Sequence, residues 1–166
     1  MTKLRWALVA AGILILTAII GLAILVYIVG DPDADNAPHL SHYSAEEQTR
    51  DAQHVVDGLN THDAAKVDVI HGLGKTDPRD IAATREQDAT IAKALPDSGC
   101  QYTLKTVDDE GEQGTKIVPG SGKAARVYLL NLNLEQNCPG QPPQPRVLGL
   151  YLVPYWGYWT ALSFVS

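Results

Sequence analysis

Residues 6–29, WALVAAGILILTAIIGLAILVYIV, contain no charged side chain. At about 1.5 Å rise per residue, a helix of this length crosses a hydrocarbon core of about 30 Å with some tilt. The run therefore predicts a transmembrane signal anchor, and it decides what the rest of the chain can be. Residues 1–5 form a short cytoplasmic N-terminus, residues 30–42 a linker, and residues 43–166 the part that must fold in water. Lys3 and Arg5 are the only charged residues before the run, and an acidic DPDAD follows it. The Lys and Arg bias places the N-terminus in the cytoplasm and the C-terminal domain on the extracytoplasmic side of the cell membrane. A cleaved signal peptide is the alternative, but the run is longer than an ordinary signal core and no A-x-A site stands near Gly30.

The formal charge of -6 hides an asymmetry. Removing Lys3 and Arg5 from 13 basic residues leaves 11 against 19 acidic ones, so everything after the apolar run carries -8. Such a surface repels phosphate backbones, which argues against nucleic acid as a partner. The length supports one hydrophobic core. Cys100 and Cys138 are the only cysteines, and an oxidising compartment favours a disulfide between them. Two unpaired buried thiols are the alternative. Neither cysteine has a second ligand at metal-binding spacing, so no metal site is expected there.

In chain order, DPDADNAPHLSH reads as an extended linker. His39 and His42 in it stand three apart, a spacing open to metal ligation but better explained as solvated linker residues beside Pro38. Ser44 and Glu47 make a capping box that starts a helix at Ala45. Its stripe is Ala52, Val55, Val56 and Leu59, and it ends near Asn60. Asp63 can cap a second helix through AAKVDVIHGL, burying Val67 and Ile70. Asp77 and Pro78 open a third, running to about Leu95 and burying Ile81, Thr84, Ile91 and Leu95. The period then becomes alternating. CQYTLKTV reads as a strand, DDEGEQG as a hairpin connection, residues 115–118 as a weak strand and residues 125–137 as the clearest one. CPGQPPQPR is a turn, and VLGLYLV and YWTALSFV flank the turn PYWG.

Three helices packed on a curved antiparallel sheet make an α+β domain. The order resembles the cone-shaped family named after nuclear transport factor 2. The likeness is carried by DAQHVVDGLNTHDAAKV, similar to the family's opening helix and turn, and by YLVPYWGYWTALSFV, similar to its closing hairpin. The anchored, outward arrangement is similar to actinobacterial membrane proteins of that family associated with mammalian-cell-entry lipid transporters. The resemblance implies an accessory or scaffold subunit of a membrane complex, with lipid or solute transport as the setting. A cone holding a small apolar ligand is the alternative. Enzymes of the family, the ketosteroid isomerase and polyketide cyclase types, place an acid or base in the cone, and His54 and Asp68 are the counterparts such a reading would use.

Pocket candidates are thus His54, Asp68, Tyr102, Tyr128 and Tyr151, each weighed against ordinary packing or capping. His62 and Asp63 sit in a turn, where capping explains the aspartate. No G-x-S-x-G, H-E-x-x-H or phosphate-cradling loop is present, and no cofactor is called for. Tyr155, Trp156, Tyr158 and Trp159 carry the greatest contact potential, because tyrosine and tryptophan are enriched at protein interfaces and at membrane boundaries. Alternation along a strand would bury about half of them. The expected partners are the bilayer, through residues 6–29, and a membrane protein.

Overall fold

The computed structural model describes residues 43–72 and 78–165. All belong to the unit Ala37–Ser166. The transmembrane helix expected over residues 6–29 and the linker with His39 and His42 lie outside the described residues. Among the described residues no helix is long and apolar enough to cross a membrane.

Helix α1, Ala45–Leu59, begins where the capping box predicts. Glu47 N–H donates to Ser44 Oγ, and Ser44 N–H donates back to Glu47 Oε2 at 2.9 Å. Two otherwise orphaned donors are satisfied at once. Ala52, Val55, Val56 and Leu59 form the buried stripe, and Gln48 extends it by one turn. The helix ends on Asn60, whose side chain joins it to the sheet. Asn60 Nδ2 donates to the Tyr102 carbonyl at 2.9 Å, and its Oδ1 accepts from Tyr102 N–H at 2.7 Å.

The second expected helix is instead a single 3-10 turn, Ala64–Lys66, with Asp63 accepting from Ala65 N–H. Val67 leaves it in extended conformation, and Ile70 N–H donates to the Ala161 carbonyl at 2.9 Å. Val67 and Val69 are buried while Ile70 is half-buried. β-Branched residues in VDVI lose side-chain freedom in a helix, and here the segment runs as irregular backbone joined to Ala161 by one hydrogen bond. The segment lies so close to α1 that a Cβ on Gly58 would stand 2.7 Å from the Lys66 carbonyl oxygen.

Helix α2 is Pro78–Ala94. Its buried residues are Gln87, Thr90, Ile91 and Ala94; of those expected inside, Ile91 is buried, Thr84 and Leu95 are half-buried and Ile81 is exposed. The helix forms where expected, but the centre of its buried side is polar. Gln87 Nε2 donates to the carbonyls of Ile70 and Leu162, satisfying the 67–70 segment and a strand with one amide.

Four antiparallel strands follow as a meander in the order β1-β2-β3-β4. They are β1 Gln101–Lys116, β2 Ala125–Asn137, β3 Gln144–Tyr155 and β4 Tyr158–Phe164. β1 runs straight through DDEGEQG, which the turn chemistry had marked as a connection. Two register irregularities absorb it, between Asp109 and Gly111 and between Glu112 and Thr115, and Gly111 and Gly114 stand there at φ 73°. β1 lies at the sheet edge, where charged residues and bulges are tolerated and discourage pairing with another chain. The actual turn is residues 117–124.

Among the described residues the fold is thus two α-helices and a 3-10 turn on a four-stranded meander, which corrects the three-helix cone of the family resemblance. The main core joins the α1 stripe, Ile91 and Ala94 to Tyr102, Leu130, Leu132, Leu134, Leu150, Leu152, Trp159, Ala161 and Phe164. Truncating any central leucine to alanine costs about 2–5 kcal/mol.

Candidate functional site

The pocket candidates do not converge. His54 Nδ1 lies 3.6 Å from Asp68 Oδ2, with side chains 58% and 68% exposed. The pair bridges α1 and the following segment in solvent, where it is screened. Tyr102 is buried, its hydroxyl donates to the Leu95 carbonyl, and burial pushes the phenol up. Tyr151 pairs with Leu129, whereas Tyr128 pairs with Leu152, so the two tyrosines point to opposite faces. Tyr151 carries Lys116 over its ring at 5.2 Å.

Tyr128 belongs to a network that no local pattern announced. Its hydroxyl donates to Asp109 Oδ2 at 2.8 Å, and Gln48 Nε2 donates to the same oxygen at 2.7 Å. Burial raises the Asp109 carboxyl, but hydrogen bonds from Tyr128, Gln48 and the Gly111 N–H outweigh it and hold the group below its ordinary range. Burial, the hydrogen bond and the negative charge of Asp109 keep Tyr128 protonated far above neutrality. Tyr43 behaves alike: burial first, then the charge of Asp51 and a 2.9 Å hydrogen bond to it, push its phenol up. The rings of Tyr43 and Tyr128 meet edge to face at 5.6 Å, and Tyr128 leans on Trp159 at 5.2 Å. Arg126 stacks over Trp159 and holds both oxygens of Glu112. These groups seat the start of α1 on the sheet.

Two shallow depressions stand on the surface formed by the described residues. One, of about 380 Å³, is lined by His62, Gly99, Cys100, Gln101, Asn137 and Cys138. The other, of about 240 Å³, lies on the sheet between Lys105, Asn133 and Pro145. The helix–sheet interface, where an apolar ligand would sit, is filled by Leu130, Leu132, Leu150 and Leu152, all at 0% exposure. His62 Nε2–H donates to the Cys100 carbonyl, and the cysteines are joined as a disulfide. Register places that bond one step beyond the Gln101 and Asn137 pair, so it closes the β1–β2 ladder. Among the described residues no group of three or more His, Cys, Asp or Glu is placed to hold a metal ion.

The aromatic candidates divide. Trp159 is 5% exposed and belongs to the core, whereas Tyr155, Trp156 and Tyr158 are 37%, 70% and 61% exposed at the β3–β4 turn. Alternation explains the split between Tyr158 and Trp159. The turn is tight, with Tyr155 paired to Tyr158 and both central residues at positive φ, Trp156 at 51° and Gly157 at 85°. That is the pattern of a type I′ turn, whose first central position ordinarily takes Asn, Asp or Gly. A tryptophan there costs about 1–2 kcal/mol in backbone strain. Tyr155 and Trp156 rings meet edge to face at 6.1 Å. Ile117, 71% exposed, begins the neighbouring β1–β2 turn at the same end of the sheet.

No family model, curated protein or solved structure matches the chain.

Proposed function

We propose that the chain is a non-catalytic accessory or scaffold component of a cell-envelope membrane complex, tethered through residues 6–29 with its domain on the outer side. It works by surface contact. The observation that carries this reading is the β3–β4 hairpin, which presents Tyr155, Trp156 and Tyr158 to solvent on a two-residue turn under strain. Exposed aromatics of this size on a short, rigid support lose little conformational entropy on binding. Of the titratable candidates, Tyr102 and Tyr128 are engaged in hydrogen bonds between elements, while His54 and Asp68 form a screened surface pair. The disulfide fits the oxidising side of the membrane.

Mild detergent extraction of the full-length tagged chain from its native membrane tests the reading. A stoichiometric set of membrane proteins is the expected result, and recovery of the chain alone overturns it.

A further inference from the structure

The depression of about 380 Å³ at the start of β1 has the disulfide in its wall, with His62, Asn137 and Pro139 beside it. The two cysteines are not equivalent. Cys100 is 3% exposed, whereas Cys138 is half-buried at the end of β2, where an exposed turn begins with Pro139. A thiolate arriving from solvent therefore meets Cys138, and Cys100 lies behind it.

Gln136 sets Cys138 apart chemically. Its Nε2 donates to Asp97 Oδ2 at 2.8 Å and faces Cys138 Sγ at 3.5 Å. The side chain is buried, and its Oε1 accepts from no group among the described residues, so placing an amide here costs free energy. Asp97 holds the amide with its nitrogen toward the sulfur. A disulfide sulfur is a weak acceptor and a thiolate a strong one, so this N–H stabilises most when the bond is open and the charge stands on Cys138. The backbone tolerates the opening. Asn60 bonds twice to Tyr102, and His62 Nε2–H donates to the Cys100 carbonyl, so the start of β1 is held without the sulfur bond.

We propose that Cys100 and Cys138 form a thiol–disulfide exchange site, open on the folded domain, whose reductant is a vicinal dithiol. One thiolate of the dithiol attacks Cys138 Sγ, a mixed disulfide forms, and the Cys100 thiolate leaves and is protonated. The second thiolate of the dithiol then attacks its own sulfur in the mixed disulfide. The reductant departs as a disulfide, and Cys138 is released as a thiolate facing Gln136 Nε2 before it too is protonated. Two electrons pass to the cysteine pair, and the two protons lost by the dithiol balance the two gained. In the reverse direction Cys138 is the nucleophile and Cys100 the resolving thiol.

The full chain in mild detergent, without denaturant, is treated with dithiothreitol, and free thiols are counted with a maleimide mass tag. Only these two cysteines exist to be tagged. Reduction is expected at a rate that urea below the unfolding transition leaves unchanged, and a rate that follows the unfolded fraction overturns the proposal. This arm needs no substitution. Cys100→Ala and Cys138→Ala chains are then exposed to oxidised glutathione. The chain that keeps Cys138 is expected to gain the adduct at least about tenfold faster, and equal rates, or the reverse order, overturn the assignment of roles. Gln136→Leu added to Cys100→Ala is expected to slow the adduct about tenfold near neutral pH and to recover the full rate in alkali, as a raised thiol pKa requires. Slowing by the same factor at every pH overturns the part given to Gln136.

Discussion

Where β1 begins and β2 ends, the sheet is closed by the Cys100–Cys138 disulfide, by two hydrogen bonds from Asn60 to Tyr102, and by His62 reaching the Cys100 carbonyl. Where β3 turns into β4, the ladder ends instead in exposed aromatic side chains and a tryptophan at positive φ. The first end is tied together covalently and by hydrogen bonds between elements. The second accepts strain and exposure. A domain can tolerate such a tip because its stability is concentrated elsewhere, and strain of this kind persists only where surrounding structure enforces it. Local stability should therefore rise from the aromatic end to the disulfide end.

Removing the disulfide attacks the stable end most directly. Closing a loop with a sequence separation of 38 restricts the unfolded chain by about 4 kcal/mol. Cys100→Ala with Cys138→Ala is expected to lower the urea midpoint of the full chain accordingly. Asn60→Ala comes next. It leaves the buried end of β1 without a donor and an acceptor at Tyr102, at a cost of about 2 kcal/mol. The same urea titration reads it, and faster amide exchange at Tyr102 would locate the damage.

Trp156→Asn acts at the other end with the opposite sign. Asparagine tolerates positive φ, so the substitution is expected to raise stability by about 1 kcal/mol. The gain accompanies loss of contact. A variant with unchanged stability would break the link between strain and display, and a less stable one would place the stability of this hairpin in the Trp156 side chain itself.

The contrast between the ends was partly legible in the sequence. Ser44 with Glu47, the Ala52 to Leu59 stripe and the alternation of β2 rest on interactions within one element, and each appears where expected. The 67–70 segment does not, because VDVI fits either a helix face or a strand edge and only its bond to Ala161 decides. Asp109 and its neighbours looked like a turn because an edge strand admits the same residues. Cysteine count and compartment pointed to the disulfide, whereas its place at the end of a ladder depends on register. The aromatic cluster was visible as composition. Which rings face outward required the strand phase, which puts Trp159 in and Tyr158 out. The Gln48–Asp109 and Gln48–Tyr128 contacts, separated by 61 and 80 residues, have no local signature at all.

Acid should separate the two ends by a smaller effect. The folded pKa of Asp109 lies below its ordinary value of 3.8, so its ionised form is favoured by folding. Its contribution is therefore present above pH 3.8 and disappears as pH falls through the lower folded value, when a proton removes the acceptor that Tyr128 and Gln48 use. The carboxylate is solvent-accessible, so screening keeps the effect modest. Amide exchange between about pH 5 and about pH 3, corrected for intrinsic rates, is expected to show protection falling at Gly111 and the first turn of α1, with Tyr102 unchanged. Asp109→Asn should flatten that dependence. Equal loss at Gly111 and Tyr102 would mean that the ends unfold together, and the gradient of stability from disulfide to hairpin would have to be abandoned.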